Sequence, residues 1–347
     1  METNSRKIRS KEQNKIPFLI LMAVLVVVLM VVLVFALKGK GDEDGTEDTQ
    51  GTQTESVDLE KWQEGIVGYN GKDYIYNPNI KVYLIMGIDK EGKVEKAPDQ
   101  NSGGQSDSMF LLVADSKEKT MSVVSINRNT ITRVESYYKD GISSGYINAQ
   151  ICVQHGFGDG MHLSCSRAVD AVSHLFYNLP IAGYMSIRLD AIPIMNDAVG
   201  GVEVTVLNDV SYPSKGVELK KGEEVTLNAD QAYAYLRGRD QDEFDSATLR
   251  LRRQEQYMTA FSSKLKSIAT SDLDAAINIY NSISDYTVSS IDFAALAAEL
   301  KEYSFSSERM YSVPGETKMG EEFEEYHVDE KAFYDMIINV FYTEVTK

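Results

Sequence analysis

Three near-continuous apolar runs open the folded part of the chain, at residues 81–89, 109–114 and 120–126. They are of strand length, rich in β-branched side chains and barely alternate, which predicts strands buried on both faces of a central sheet. Further on, apolar residues recur at helical spacing over 147–154, 163–177 and 191–198, the last stopped by Gly200-Gly201. Strand-like stretches at 184–189 and 202–207 flank that short helix. Asn228 is placed to cap a helix running to Leu236, and four more helices are predicted over 247–269, 273–282, 293–303 and 330–341. A strand at 310–313 and a turn at Pro314-Gly315 precede the closing helix. Interleaved strands and helices, without a repeat or second domain boundary, predict one α/β (α+β) domain with a mixed central β-sheet flanked by helices.

The front of the chain follows another pattern. Phe18 to Leu37 is an unbroken run of twenty apolar residues, long enough to cross a hydrocarbon core of about 30 Å as a helix. Arg6, Lys7, Arg9, Lys11 and Lys15 precede it, and a strongly acidic stretch follows Lys40. The basic flank predicts a cytoplasmic tail at 1–17, a transmembrane helix at 18–37 and an extracellular domain. A cleaved signal peptide fits less well, since its apolar core would be shorter and no clean small-x-small site follows. Residues 38–62 read as an acidic flexible linker and 63–347 as the extracellular folded domain.

With a formal net charge of −17, the chain is poorly suited to nucleic acid. Against that background, five of its twelve arginines, Arg237, Arg239, Arg250, Arg252 and Arg253, fall within seventeen residues. Guanidinium groups grip carboxylate or phosphate oxygens two at a time, so the cluster suits a small anion; equally, it suits a solvated face paired with neighbouring acids. Arg250, Arg253 and Gln254, at i, i+3 and i+4, share a helix face, while Arg252 points elsewhere. Arg237 and Arg239, if extended, point to a common side.

The predicted strands deliver Asp89, Asp107 and Arg128 at their ends or on adjoining loops. Carboxylates beside arginines would compete with an anion unless a divalent hard cation joined them, and Mg²⁺ is commonly held by one or two carboxylates plus substrate phosphates. Two aspartates, one metal and several arginines are equipment for a pyrophosphate, with Arg237, Arg239, Arg250, Arg253 and Gln254 expected to form one wall of its site. Cys152 and Cys165, in the spacing Cys152-x-x-His155 and His162-x-x-Cys165, are expected to form a disulfide, with free buried thiols and then a zinc site as the alternatives.

These residues resemble the LytR-CpsA-Psr proteins of Gram-positive cell envelopes. The segments that carry the likeness are Leu84-Ile85-Met86-Gly87-Ile88-Asp89, Ser106-Asp107-Ser108-Met109, Val123-Val124-Ser125-Ile126-Asn127-Arg128, Ile147-Asn148-Ala149, Asp197-Ala198-Val199-Gly200-Gly201-Val202, Ala232-Tyr233-Ala234-Tyr235-Leu236-Arg237-Gly238-Arg239 and Arg250-x-x-Arg253-Gln254. The resemblance implies a membrane-anchored phosphotransferase that moves a glycopolymer, such as teichoic acid or capsule, from a polyprenyl-pyrophosphate carrier to peptidoglycan. It implies Mg²⁺ at Asp89 and Asp107, pyrophosphate held by Arg128, Arg237, Arg239, Arg250 and Gln254, and the lipid tail in an apolar core pocket. Asp89, Asp107, Arg128 and Arg239 are the expected catalytic residues, with Asp107 or Asp240 as candidate base. Two departures stand out: Gln105 where the family usually has Arg, and Asn127-Arg128-Asn129 where it usually has Pro-Arg-Asp. They leave open a non-catalytic carrier- or polymer-binding protein of the same fold, while the same equipment would also serve a pyrophosphatase.

Overall fold

The structure, a computed structural model, describes residues 65–239, 244–291 and 303–345. Its first strands, β1 (Val67–Tyr69) and β2 (Lys72–Tyr76), form a hairpin turned by Asn70-Gly71. Both turn residues have positive φ, 49° and 75°, the combination a two-residue hairpin turn requires. Then come β3 (Ile80–Ile88), β4 (Ser106–Asp115), β5 (Thr120–Ile126), β6 (Ile131–Tyr137), β7 (Ser143–Gln150), helix α1 (His162–Leu175), β8 (Gly183–Arg188) and α2 (Ala191–Ala198). Four short strands, β9 (Val202–Thr205), β10 (Val210–Tyr212), β11 (Val217–Leu219) and β12 (Glu224–Leu227), lead to α3 (Ala229–Arg237), α4 (Ser246–Ser271) and α5 (Leu273–Ile283). The chain ends with β13 (Thr287–Ser289), β14 (Ser304–Ser312), β15 (Gly315–Met319), β16 (Glu324–Val328), α6 (Glu330–Phe341) and β17 (Tyr342–Glu344).

The six-stranded central sheet runs β13-β8-β3-β4-β5-β14. It is mixed, as expected: β3 pairs parallel with β8 and antiparallel with β4, β4 antiparallel with β5, and β5 parallel with β14. The three apolar runs have little alternation because both faces are covered. Leu84, Met86, Met109 and Leu111 pack on one face beneath α1 and α6, where the ring of Phe176 stands 5.0 Å from that of Phe333 and 6.0 Å from that of Phe341. Tyr83, Ile85, Phe110 and Leu112 fill the other face, against Leu251 and Met258 of α4. A third cluster, including Val202, Leu219, Tyr235 and Phe261, joins the short hairpins to α3 and α4.

Two expectations are corrected. The helix predicted over 147–154 is instead the second half of β7 followed by a 3-10 helix, Ile151–Gly156. Ile147 pairs with Val134 across the β6–β7 hairpin and is exposed, so its apolar character marks no buried helix face. The cysteines are two free, buried thiols. Asp159 explains their separation: its Oδ1 accepts N–H groups of Met161, Leu163 and Ser164 at 2.8–3.2 Å, which starts α1 and turns Cys165 toward Ser186, 3.3 Å away. Cys152 faces Arg128 instead. The zinc alternative fails for the same reason, since His162 bonds Tyr184 and, among the described residues, no group of three or more His, Cys, Asp and Glu is placed to hold a metal.

The predicted transmembrane helix at 18–37 and the linker at 38–62 lie outside the described residues, as does most of the helix expected over 293–303. Among the described residues no helix is long and apolar enough to cross a membrane.

Asn228 caps α3 as predicted and does so reciprocally: its Oδ1 accepts the Gln231 N–H at 2.9 Å while Gln231 Oε1 accepts the Asn228 N–H at 3.0 Å. Asn228→Ala should cost about 1 kcal/mol in a urea titration. Burial pushes the thiols up to about 11 at Cys152 and about 12 at Cys165. Alkylation of the native protein should therefore be slow at both cysteines, and unfolding without reductant should expose two reactive thiols; a single disulfide-linked peptide would contradict this assignment.

Candidate active site

Sheet topology brings the site together. Asp89 follows the C-terminal end of β3, and because β4 runs antiparallel its first residues lie at the same edge. There Gly87 pairs with Ser108 and Ile88 with Ser106, leaving Asp107 as the extra residue of a β-bulge. A bulge of this kind re-aims one side chain, and here it is the carboxylate. β5 runs back to the edge, so Asn127 and Arg128 emerge beside Asp107; β8, parallel to β3, ends there with Arg188.

Asp107 is the centre of an arginine cage. Its Oδ2 accepts Arg250 Nη1 at 2.9 Å, and its Oδ1 lies 2.9 Å from Arg128 Nε, an ion-pair contact without the alignment of a hydrogen bond. Burial works against the carboxylate charge, but Arg250, Arg128, Arg237 and Arg239 outweigh it and hold the Asp107 pKa below the usual range. Burial lowers the pKa of Arg250 and Arg239, reinforced by Arg128 beside both. One carboxylate thus faces four guanidinium groups. Arg237 Nε and Arg250 Nη2 are buried without a hydrogen-bond partner among the described residues. Leaving such donors unsatisfied is costly, and a multiply charged anion is the ligand that satisfies them.

Gln105 ties the two walls together. Its side-chain oxygen accepts Arg128 Nη2, and its backbone N–H donates to Asp89 Oδ1 at 2.6 Å. The position that usually carries Arg in the family therefore orients another arginine here. Asn129 lies outside the cage. It is buried, its N–H donates to Asn127 Oδ1 at 2.9 Å, and its own Oδ1 accepts Gln150 Nε2 at 3.1 Å.

The helix face expected to carry Arg250, Arg253 and Gln254 divides. Positions i and i+4 lie only about 40° apart around a helix, whereas i+3 falls about 60° to the other side. Arg250 and Gln254 line an apolar cavity beneath the cage. Arg253 turns to the end of α3, where Nε donates to Tyr235 O at 2.8 Å, Nη1 to Asn208 Oδ1 at 2.9 Å and Nη2 to Gly238 O. Its donors are engaged in holding the Arg237–Arg239 segment in place. Gln254 Nε2 also binds that segment, at Leu236 O, 3.1 Å, while Gln254 Oε1 is buried without a partner among the described residues. Arg252 is exposed, as predicted. Asp240 lies outside the described residues.

Below the cage a cavity of about 160 Å³ opens between the sheet and helices α2, α4 and α5. Its walls are apolar, among them Ile85, Phe110, Met185, Ile192, Tyr257 and Phe261, while Asp107, Ser108, Arg237 and Arg250 stand at its polar end. Arg188 also lines it and was missed in the sequence; its Nη1 donates to Lys93 O at 2.6 Å and Nη2 to Glu95 O at 3.1 Å, which pins the loop after β3. The only available signal was its place at the end of a predicted strand. That β8 lies beside β3 cannot be read from the residues.

A polar cage over an apolar cavity suits an amphiphile with a charged head. The chain is similar to the polyisoprenyl-teichoic acid–peptidoglycan teichoic acid transferase TagU of Bacillus cereus, 32% identical over 160 residues that cover 46% of this chain and 44% of that protein. It is 28% identical to TagU of Halalkalibacterium halodurans over 46% of this chain and 45% of the relative. The matched stretch thus spans less than half the length of these curated relatives. Among solved structures, protein gbs0355 from Streptococcus agalactiae superposes with a TM-score of 0.59 at 20% identity, covering 76% of this chain and 86% of that one. B. subtilis TagV superposes at 0.55 with 22% identity, covering 76% and 96%. These likenesses show a shared fold. The LytR_cpsA_psr family model matches residues 31–339, nearly the whole chain, and the chain belongs to that family.

Proposed function

We propose that this chain is a cell-envelope phosphotransferase that takes a glycopolymer from a polyprenyl-pyrophosphate carrier and joins it to a peptidoglycan hydroxyl. The observation that carries this reading is the set of buried, unsatisfied guanidinium donors at the polar end of an apolar cavity. Arg128, Arg237, Arg239 and Arg250 would hold the pyrophosphate oxygens and offset the charge that gathers on them as the phosphoryl bond breaks. The cavity would take the part of the polyprenyl chain next to the head group. In the transfer, the acceptor oxygen forms a bond to the phosphorus bearing the polymer, the bond to the bridging oxygen breaks, and polyprenyl phosphate leaves; the hydroxyl proton passes to a base. The name of the TagU relatives supports this direction of transfer, and the structure of TagT bound to LI-WTA, 19% identical with a TM-score of 0.53, belongs to a protein of the same fold. The N-terminal apolar run would keep the domain at the outer membrane face, where such a carrier is found.

Asp89 and Asp107 fit a divalent cation. Burial, together with the neighbouring Asp107, holds the Asp89 pKa above the usual carboxylate range despite the hydrogen bond from Gln105. A buried carboxylate whose ionisation is opposed by a second carboxylate beside it is a group that a cation would relieve. Mg²⁺ would add charge neutralisation on the phosphate oxygens, drawing the remainder of its shell from substrate and water.

Three outcomes follow for the purified protein. Release of polyprenyl phosphate from a pyrophosphate-linked donor should require Mg²⁺, and transfer should require added peptidoglycan; donor binding without turnover would instead identify a carrier-binding protein. Arg128→Ala and Arg239→Ala should each lower transfer by roughly 10²–10³-fold, with Arg252→Ala near wild type, and equal losses at all three would refute the cage. Finally, Asp89→Asn should raise the thermal midpoint at neutral pH while abolishing transfer. The folded state holds the Asp89 proton more tightly than the unfolded chain does, so ionisation above the raised pKa destabilises the fold and the substitution removes that cost. The gain should shrink as the pH falls through that raised pKa; a gain that persists there would have another origin.

A further inference from the structure

A second concavity, of about 550 Å³, lies outside the arginine cage, between β6, the C-terminal end of α1 and the β16–α6 junction. It is built unlike the first. Arg133, His174, Asn178, His327 and Glu330 line it, so planar hydrogen-bonding groups of both senses surround one groove. Glu330 lies on its wall and Glu325 beside it, 2.9 Å from His327 Nε2. These acids offset the bases, and the groove therefore lacks the uncompensated positive charge of the cage.

Arg133 joins this groove to an exposed aromatic ring. Its guanidinium stacks 3.7 Å from the centroid of Tyr146, and Tyr146 nonetheless remains 57% exposed. The ring is thus fixed on one face by a cation–π contact and open elsewhere. The floor of the groove is held in an uncommon conformation: Tyr177 and Asn178 are consecutive non-glycine residues at φ 54° and 64°, with the Tyr177 hydroxyl bonded to Glu330 Oε2 at 2.8 Å. Backbone of this kind persists where the surroundings over-determine it, frequently at ligand sites.

The chain links the groove to the cage through a short buried turn. Arg128 enters a turn whose Thr130 bridges to Tyr326, and Asn129 O accepts the Tyr326 N–H at 2.9 Å. Immediately after that turn Ile131 and Arg133 line the groove. At about 3.3 Å per residue, Arg133 lies no more than roughly 17 Å along the chain from Arg128.

We propose that this groove is the subsite for the acceptor glycan, binding a β-linked N-acetylhexosamine strand with sugar rings stacked on Tyr146 and hydroxyl or acetamido groups bonded by Arg133, Asn178 and His327. A stiff ring presents a flat face to the apolar side of a sugar, and polar groups of both senses pair with hydroxyls that donate and accept at once. The groove then sets which hydroxyl of the strand reaches the cage. This assignment rests on the transfer reading for its purpose, but binding can be measured without turnover.

The test is calorimetric titration of the full-length, detergent-solubilised protein with the hexamer of β-1,4-linked N-acetylglucosamine, which carries no phosphate. Saturable binding is expected, weakened tenfold or more by Tyr146→Ala and by Arg133→Ala and unchanged by Arg252→Ala. Tyr146 is exposed, so its variant should keep the wild-type melting curve. In the transfer assay the same variant should raise KM for the glycan acceptor and leave kcat intact. No saturable binding by the wild type, or equal binding by wild type and both groove variants, overturns the proposal. Groove-dependent binding in a protein that shows no transfer would uphold the subsite and defeat the transfer reading alone.

Discussion

The ion pairs that Asp107 makes with Arg128 and Arg250 are the constraint around which this molecule is arranged. All three side chains are buried or nearly so, and both pair distances are 2.9 Å. Removing one member of such a group typically costs about 3–5 kcal/mol, because the partner is left charged and uncompensated. Here the loss would be lopsided, since one carboxylate serves several guanidinium groups. Without Asp107 the bulge on β4, the turn after β5 and the start of α4 would converge on guanidinium groups that have lost their direct ion-pair partner. Asp107 makes the direct ion pairs that hold this excess positive charge, with Asp89 acting on Arg128 and Arg237 from nearby, and Arg237 and Arg250 also line the cavity.

The neighbouring contacts maintain that imbalance without neutralising it. Arg253 binds Tyr235 O, Gly238 O and Asn208 and so fixes the chain that carries Arg237 and Arg239. Gln105 accepts from Arg128 through its side chain and donates to Asp89 through its backbone. A neutral amide can orient the guanidinium without cancelling its charge, which a carboxylate at that place would do. Asn129, bonded to Asn127 and Gln150, stabilises the turn from below. The two departures from the usual family pattern thus have separate structural roles, one within the cage and one in the turn supporting it.

Charge and apolar surface meet at the sheet edge for a topological reason. β3 and β4 are antiparallel, so Asp89 leaves one strand where Asp107 enters the next, and Phe110 and Ile85 continue from that point into the wall of the cavity. The same short stretch therefore supplies both the polar end and the apolar lining. On the far side of the turn after Arg128, β6 leads into a different environment, in which Arg133 stacks on Tyr146 and faces a polar groove. A charged head and an apolar tail would find matching chemistry at this edge, and a hydroxyl-rich chain on the far side of the turn.

Much of this was legible in the residues. The strand at 120–126 and the helices at 191–198 and 330–341 have the boundaries that hydrophobic period and capping chemistry predict, and Asp89, Asp107 and Arg128 stand out as polar residues delivered by apolar strands. Local pattern determines such features because burial and hydrogen bonding act over a few residues. Other features depended on partners distant in the chain. Ile147 looked helical until pairing with Val134 made it part of a hairpin. The cysteines looked bridgeable until Asp159 turned α1 and sent their sulfurs to Ser186 and Arg128. Arg253 shared a motif with Arg250, yet the end of α3 claimed its donors. Residue type and spacing determined which groups could bind an anion; strand order and the packing of α3 against α4 decided which of them line the cavity, because long-range contacts alone set where a side chain's donors are spent.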